Sequence, residues 1–365
     1  MYARRLHQLV EQASAQGFDT LALVPGPNLF YLTGLSFHVS ERPIVALFPV
    51  DENPIIVLPE LEAAKVGQSP VELGVFPYTD ENGYTEAFQR ACAALELAEC
   101  LVGVEELRMR LLEARLLERY APGCHFRAAE GVMAELRMRK DEQEVAQMRR
   151  AIGVTETALW ATMHQVEAGM MEQEVATLLK LEILRAGGEG MSFSPIVAAG
   201  PNSASPHATP GDRPIQSGEP IVVDCGAIVG GYAADITRTF SVGELDRELA
   251  HVYGVVQAAN RAGRMAVKPG VSAEEVDKAA RAVVEEAGYG EYFFHRTGHG
   301  LGLEVHEPPY IIAGNERLLE PGMTFTVEPG IYLPERGGVR IEDDVLVTPD
   351  GGESLTAFQR DLLPL

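Results

Sequence analysis

At 365 residues, 46% apolar and 23% charged, the chain has the composition of a globular protein and room for two ordinary domains. Its net charge of −23 argues against nucleic acid and membrane partners, since a uniformly acidic surface is repelled by both polyanions and anionic lipid. Four irregularly spaced cysteines, no Cys-X-X-Cys pair, an opening stretch without an apolar signal core and no apolar run of spanning length lead to the expectation of a reduced, cytoplasmic protein.

In chain order, periodicity predicts a helix over 2–16 with Leu6, Leu9, Val10 and Ala13 on one face, ended by Gly17. A short strand over 20–24 stops at Pro25-Gly26-Pro27, and a helical turn over 28–33 follows. Strands over 44–49 and 54–58 flank Asp51-Glu52-Asn53, a hairpin by composition. A helix over 60–67, a strand over 71–77, a helix over 84–97, a strand over 100–104 and a helix over 106–120 complete an α/β domain assigned to residues 1–125. That domain has no Gly-rich phosphate loop and no cluster of metal-ligand residue types. Pro122-Gly123 and the stretch to Gly131 mark the boundary, and residues 126–365 are assigned to a catalytic domain. It opens on one long helical region over 132–166, with Leu136, Val145, Met148 and Ile152 as its apolar positions.

The most informative stretch is Ile221–Phe240. Two β-branched runs flank Gly230-Gly231, the signature of a two-residue hairpin turn. In that register Val229 faces Tyr232 and Asp235 faces Gly226, which leaves space before the Asp235 carboxylate. Asp224 is then the diagonal neighbour of Asp235 on one face, roughly 7–8 Å away. Two carboxylates converging from apolar strands call for a positive charge between them, and a metal ion supplies it. A turn one residue longer would send Asp235 to the other face, and a pair of ordinary strand-end acids is the alternative.

A recurrence organises the second half. Val166, Val175 and Gly187 find counterparts in Val267, Val276 and Gly288, each 101 residues later, and Ser272 with Glu275 forms a capping-box pattern. That period suggests two related halves with a site between them, against chance similarity of two helix openings. Past the second helix, His295, His299 and His306 stand among glycines, which admit close approach of a ligand or ion. Glu328 ends an apolar strand at Pro329, and Glu342 is predicted inside another. Asp224, Asp235, Glu328 and Glu342 carry four negative charges, and His299 adds a neutral nitrogen. That set balances two divalent ions of the hard to borderline kind, manganese, cobalt, iron or zinc. Such a pair, roughly 3.5–4 Å apart, activates water and polarises a carbonyl.

These residues lie in Val-Val-Asp-Cys-Gly, Ala-Asp-Ile-Thr-Arg-Thr-Phe, Gly-His-Gly-Leu-Gly-Leu-Glu-Val-His-Glu, Val-Glu-Pro-Gly-Ile-Tyr and Arg-Ile-Glu-Asp, in that order. Together they resemble the pita-bread metallopeptidases, and within them the Xaa-Pro branch of prolidase and aminopeptidase P. Gly-Pro-Asn-Leu-Phe-Tyr-Leu-Thr-Gly at 26–34 resembles the creatinase/prolidase amino-terminal domain. The resemblance implies an α/β amino-terminal domain before an α+β pita-bread catalytic domain with pseudo-twofold halves. It implies Asp224, Asp235, His299, Glu328 and Glu342 as ligands of two metal ions, manganese favoured, with Asp235 and Glu342 bridging. Glu328 would also handle a proton, and His306 would bond the substrate carbonyl. His207, His295 and Arg340 match further residues near the substrate or the last ligand. Arg340 has a second reading, holding Glu342 by a charged hydrogen bond. The expected substrate is a proline-containing dipeptide or, alternatively, a longer peptide, and the expected assembly a homodimer. Retention of all five ligand types argues against a metal-independent creatinase-like hydrolase and against a non-catalytic binding protein. Arg296 stands where many relatives have glycine and could meet a substrate carboxylate or face solvent. His38 and Arg42 fall in a region that could restrict substrate length.

Overall fold

The structure, a computed structural model, describes residues 1–363 and 365 and divides into two units, Met1–Arg137 and Met138–Leu365. The first unit runs α1 (Tyr2–Ala15), β1 (Thr20–Leu23), α2 (Pro27–Thr33), β2 (Val45–Pro49), β3 (Ile55–Pro59), α3 (Glu60–Val66), β4 (Gly74–Tyr78), α4 (Thr85–Ala94), β5 (Leu101–Val104), α5 (Leu111–Tyr120), β6 (His125–Ala128) and α6 (Glu130–Arg137). Its strands form one mixed sheet in the order β4-β3-β2-β1-β5-β6, with β2 antiparallel to both neighbours. Leu47, Val57 and Val102 of the sheet pack against Phe88 of α4 and Leu117 of α5. The helix expected from residue 106 starts only at Leu111, because a separate turn closes on the carbonyl of Glu105, which accepts from the N–H groups of Arg108 and Met109.

The division falls after Arg137 and not after residue 125. β6 pairs in parallel with β5 as the sixth strand, and the carbonyl of Leu136 accepts from Tyr31 Oη at 3.0 Å, so residues 126–137 complete the first unit. The single long helix expected over 132–166 is two, α6 and α7 (Glu142–Met163). Asp141 starts the second: its Oδ1 accepts from the N–H groups of Gln143 and Glu144, and Glu144 accepts from the N–H of Asp141. Apolar spacing ran on across this reciprocal cap and hid it.

After α7 the second unit runs α8 (Glu172–Arg185), β7 (Gly190–Met191), β8 (Ile196–Ala199), β9 (Pro220–Cys225), β10 (Ala227–Val229), β11 (Tyr232–Ala233) and β12 (Ile236–Ser241). It continues with α9 (Arg247–Ala266), α10 (Ala273–Glu286), β13 (Gly298–Gly300), β14 (Glu307–Ile311), β15 (Thr324–Val327), β16 (Gly330–Leu333), β17 (Gly337–Arg340), β18 (Asp343–Thr348) and β19 (Gly351–Ser354). A helix pair followed by strands thus occurs twice. α8 and α10 are both 14 residues long and keep the 101-residue offset at each end. Even the caps correspond: Glu174 accepts from the N–H of Met171 and Glu275 from that of Ser272, each at 2.8 Å.

The first half builds the sheet β12-β9-β8 and the second the sheet β14-β13-β15-β18-β19. Val197, Val223 and Ile236 pack on Leu159 and Leu179 of the first helix pair. Val256 and Val284 of the second pair pack with Ile331 and Val339. No helix among the described residues is long and apolar enough to cross a membrane.

Candidate metal centre

The hairpin supplies the first two acids. Gly230 and Gly231 both take positive φ, 59° and 81°, as the tight two-residue turn requires. Val229 pairs with Tyr232, and the same register continues to Thr237 opposite Asp224. Asp235, two residues from Thr237, therefore shares a face with Asp224. Gly226 has a different reason from the one expected. A Cβ there would stand 1.8 Å from the Ala234 carbonyl oxygen, so the glycine permits close backbone approach.

The other three come from the second half. His299 is the middle residue of β13. Glu328 follows β15, where Pro329 stops the strand. Glu342 lies in the link between β17 and β18, not inside a strand as expected. Its N–H donates to the carbonyl of Thr237 at 3.0 Å, which pins it against the hairpin.

All five line one cavity of about 500 Å³ in the second unit, together with His207, His295, His306 and Arg340. Asp235, His299 and Glu342 each place a ligand atom within 4.8 Å of the others. His299 Nε2 is 3.3 Å from Glu328 Oε1 and 3.7 Å from Asp235 Oδ2. Asp224 Oδ1 and Asp235 Oδ1 are buried without a hydrogen-bond partner.

Electrostatics show how unfavourable the cluster is by itself. Burial, then Glu342 and Asp224, push the Asp235 carboxyl well above its usual range. Burial, then Glu328 and Asp224, do the same to Glu342. Burial raises Glu328 to about 7 against the pull of Arg340. Burial, with His306 and Arg296, lowers His299 to about 3, so its imidazole is neutral. Nδ1 lies 3.2 Å from the carbonyl of Gly300, and a proton there leaves the Nε2 lone pair facing Asp235 and Glu328. The unpartnered Oδ1 atoms of Asp224 and Asp235, with the His299 Nε2 lone pair beside them, fit divalent cations, and four carboxylates with one imidazole are a hard to borderline donor set.

Arg340 does not bond Glu342 directly. Its Nη2 donates to Asp224 Oδ2 at 2.6 Å, its Nη1 to Tyr332 Oη at 2.9 Å and its Nε to Thr237 Oγ1 at 3.1 Å. Thr237 in turn donates to Glu342 Oε2 at 2.5 Å, so the arginine reaches Glu342 through the threonine. His295 sits at the end of the same chain: Nδ1 lies 2.7 Å from the carbonyl of Arg296, and Nε2 lies 2.9 Å from Tyr332 Oη. Burial lowers its pKa to about 4. The His306 ring stands edge-on to His299 with centroids 4.1 Å apart, and both His306 and His207 are exposed. Arg296 lines the cavity with its guanidinium 4.7 Å from the Tyr310 ring centroid. In the first unit His38 is exposed, and Arg42 is paired with Asp80 at 2.6 and 2.8 Å.

The profile described as metallopeptidase family M24 matches residues 146–349, and that of the creatinase/prolidase N-terminal domain matches residues 5–139. The chain belongs to metallopeptidase family M24. It is 40% identical over 367 residues to the probable dipeptidase PepE of Mycobacterium tuberculosis, covering 100% of this chain and 96% of that one. It is similar to a solved dipeptidase from Pyrococcus horikoshii, with TM-score 0.94, 38% identity and coverage of 99% and 100%. A recombinant prolidase from Thermococcus sibiricus gives TM-score 0.95, 34% identity and coverage of 100% and 99%.

As an M24 enzyme the chain is a metal-dependent peptidase with a pita-bread catalytic domain behind a creatinase-type amino-terminal domain. Two polar groups that bond the lining of this M24 cavity were not singled out in the sequence, Thr237 and Tyr332. Both sit inside quoted motifs, but a threonine or tyrosine in a strand is ordinary by pattern. Only the cross-strand register shows that they join Arg340 to Glu342 and His295.

Proposed function

We propose that this M24 chain is an Xaa-Pro dipeptidase, a prolidase, that holds two divalent ions through Asp224, Asp235, His299, Glu328 and Glu342. The observation that carries the reading is the convergence of these five side chains with two buried carboxylate oxygens, on Asp224 and Asp235, left unpartnered. Four carboxylates balance two dications. Asp224, Asp235, His299, Glu328 and Glu342 would hold the ions, with the ligand atoms of Asp235, His299 and Glu342 nearest one another. Manganese suits this oxygen-rich set best.

When bound, the ions supply Lewis acidity, which makes water nucleophilic at neutral pH and polarises the scissile carbonyl. The chain's own groups do the rest. Glu328 takes the proton that the attacking water gives up. His306, at the cavity mouth, donates to the carbonyl oxygen as negative charge grows there. His207 and His295 flank the substrate. Arg340 keeps Asp224 in one orientation, and Arg296 faces the substrate's terminal carboxylate. An Xaa-Pro bond is a tertiary amide without an N–H, so recognition rests on the shape of the pyrrolidine pocket. Relatives named dipeptidase and prolidase support the dipeptidase reading over an aminopeptidase P. A cytoplasmic homodimer completes the reading, the assembly being measurable by sedimentation.

The test is hydrolysis of Met-Pro and Ala-Pro beside Ala-Pro-Ala, by metal-stripped protein and by protein restored with Mn²⁺ or Co²⁺. Metal-dependent cleavage of the dipeptides alone is expected. Preferential cleavage of the tripeptide would make the chain an aminopeptidase P, and cleavage of neither by metal-loaded protein would end the Xaa-Pro assignment.

A further inference from the structure

One ion pair, with a buried carboxylate and a half-buried guanidinium, has no part in the chemistry above. Asp277, in the second turn of α10, is completely buried. Its Oδ1 accepts from Thr297 Oγ1 at 2.6 Å and from Arg281 Nη2 at 3.0 Å, and its Oδ2 from Arg281 Nε at 3.2 Å. Arg281 directs its other N–H groups at backbone. Nη1 donates to the carbonyl of Phe293 at 2.8 Å and Nη2 to that of His295 at 2.9 Å, while the guanidinium lies 4.2 Å from the Phe293 ring centroid.

A solvated pair at this helical spacing contributes little and gives no reason to bury the carboxylate. The geometry supplies one. Residues 293–297 belong to no helix or strand; backbone bonds hold their two ends, Phe293 to the carbonyl of Gly290 and Thr297 to Ile311 and Glu328, and His295 lies in the stretch between. Asp277 and Arg281 grip that segment at three points, Phe293, His295 and Thr297. Its middle residue, His295, projects a ring into the cavity.

We propose that Asp277 and Arg281 are positioning residues: the carboxylate orients the guanidinium, and the guanidinium grips the two carbonyls and thereby sets the His295 ring against the substrate. This rests on His295 facing substrate in the dipeptidase reading. The job requires arginine's fork, because a lysine ammonium on a flexible stem does not span a carboxylate and two separate carbonyls.

Arg281→Met alone leaves Asp277 buried without its cation, so any loss could come from that stranded charge. The double variant Asp277→Asn/Arg281→Met removes the charge as well and separates folding from positioning. The expected double variant melts close to the wild type and binds its full complement of Mn²⁺. It cleaves Ala-Pro with kcat/KM lowered roughly 10- to 100-fold and KM raised, and Arg281→Lys restores little of the loss. Amide exchange over 293–297 is expected to be at least about ten times faster, with or without substrate. Wild-type kcat/KM in the folded, metal-loaded double variant would overturn the proposal. So would a loss matched by lost metal, which would locate the effect at His299. Should the wild-type protein cleave no Xaa-Pro bond, the dipeptidase reading fails separately, and unchanged exchange at 293–297 would still remove the clamp.

Discussion

Arg340 divides one guanidinium among four oxygens, those of Asp224, Tyr332, Thr237 and the Pro206 carbonyl. That leaves Asp224 with one oxygen held and one free, the posture of a ligand. Arg340→Met is expected to leave a folded protein whose Mn²⁺ affinity is about 10- to 100-fold weaker, read by titration calorimetry on metal-stripped protein. Unchanged affinity would show that Asp224 needs no such hold. His295 gives a prediction with a sign. Its folded pKa, about 4, lies below the ordinary histidine value of 6.5. The folded state therefore binds fewer protons in that window, so this stabilisation is complete above pH 6.5 and is lost as pH falls towards 4. Between pH 7.5 and 5 it amounts to about 2 kcal/mol. Urea unfolding of wild type and His295→Gln at the two pH values checks it, the variant losing less on acidification. At this scale the convergence of the five proposed ligands on one cavity was legible, because acids and histidines are costly in apolar strands and glycine-rich stretches. The partner of Arg340 was not, because closeness in sequence suggested Glu342, while the neighbour across the fold is Asp224.

The hairpin and the caps set what each element tolerates. Its register was readable from two glycines, since a two-residue turn permits one alignment of everything beyond it. The reason for Gly226 was not, because it depends on an oxygen 1.8 Å from where a side chain would begin. Gly226→Ala must move backbone beside Asp235. A loss of about 1–3 kcal/mol in unfolding free energy, read from denaturant titration, is expected, together with impaired metal binding. An alanine variant with native stability and metal content would show that the strands yield without cost. Asp141→Ala removes the cap of α7 and is expected to cost about 1 kcal/mol with metal binding intact. Elements built on long periodicity were found close to their expected places, whereas α6 and α7 read as one helix because side-chain capping is invisible to apolar spacing.

For the whole molecule, the recurrence at 101 residues was visible as spaced valines and glycines and returns as two helix pairs, each followed by strands. The extent of the first unit was missed, because His125–Ala128 is too short and polar to announce a strand before its partner is known. If the proposed cluster holds metal ions when folded and not when the chain is dispersed, saturating Mn²⁺ at about 100 times its dissociation constant is expected to stabilise the protein by about 2.7 kcal/mol per site. Thermal melts of stripped and restored protein measure it, and coincident melts would count against the metal centre.

Asp224 and Asp235 come before α9, while His299, Glu328 and Glu342 come after α10. Neither half owns the whole of the proposed site. The link at 242–246, between β12 and α9, is where the polypeptide passes from the first two proposed ligands towards the other three. Severed there, the protein would become two fragments whose reunion is sealed by the ions, a natural starting point for a metal-triggered split enzyme.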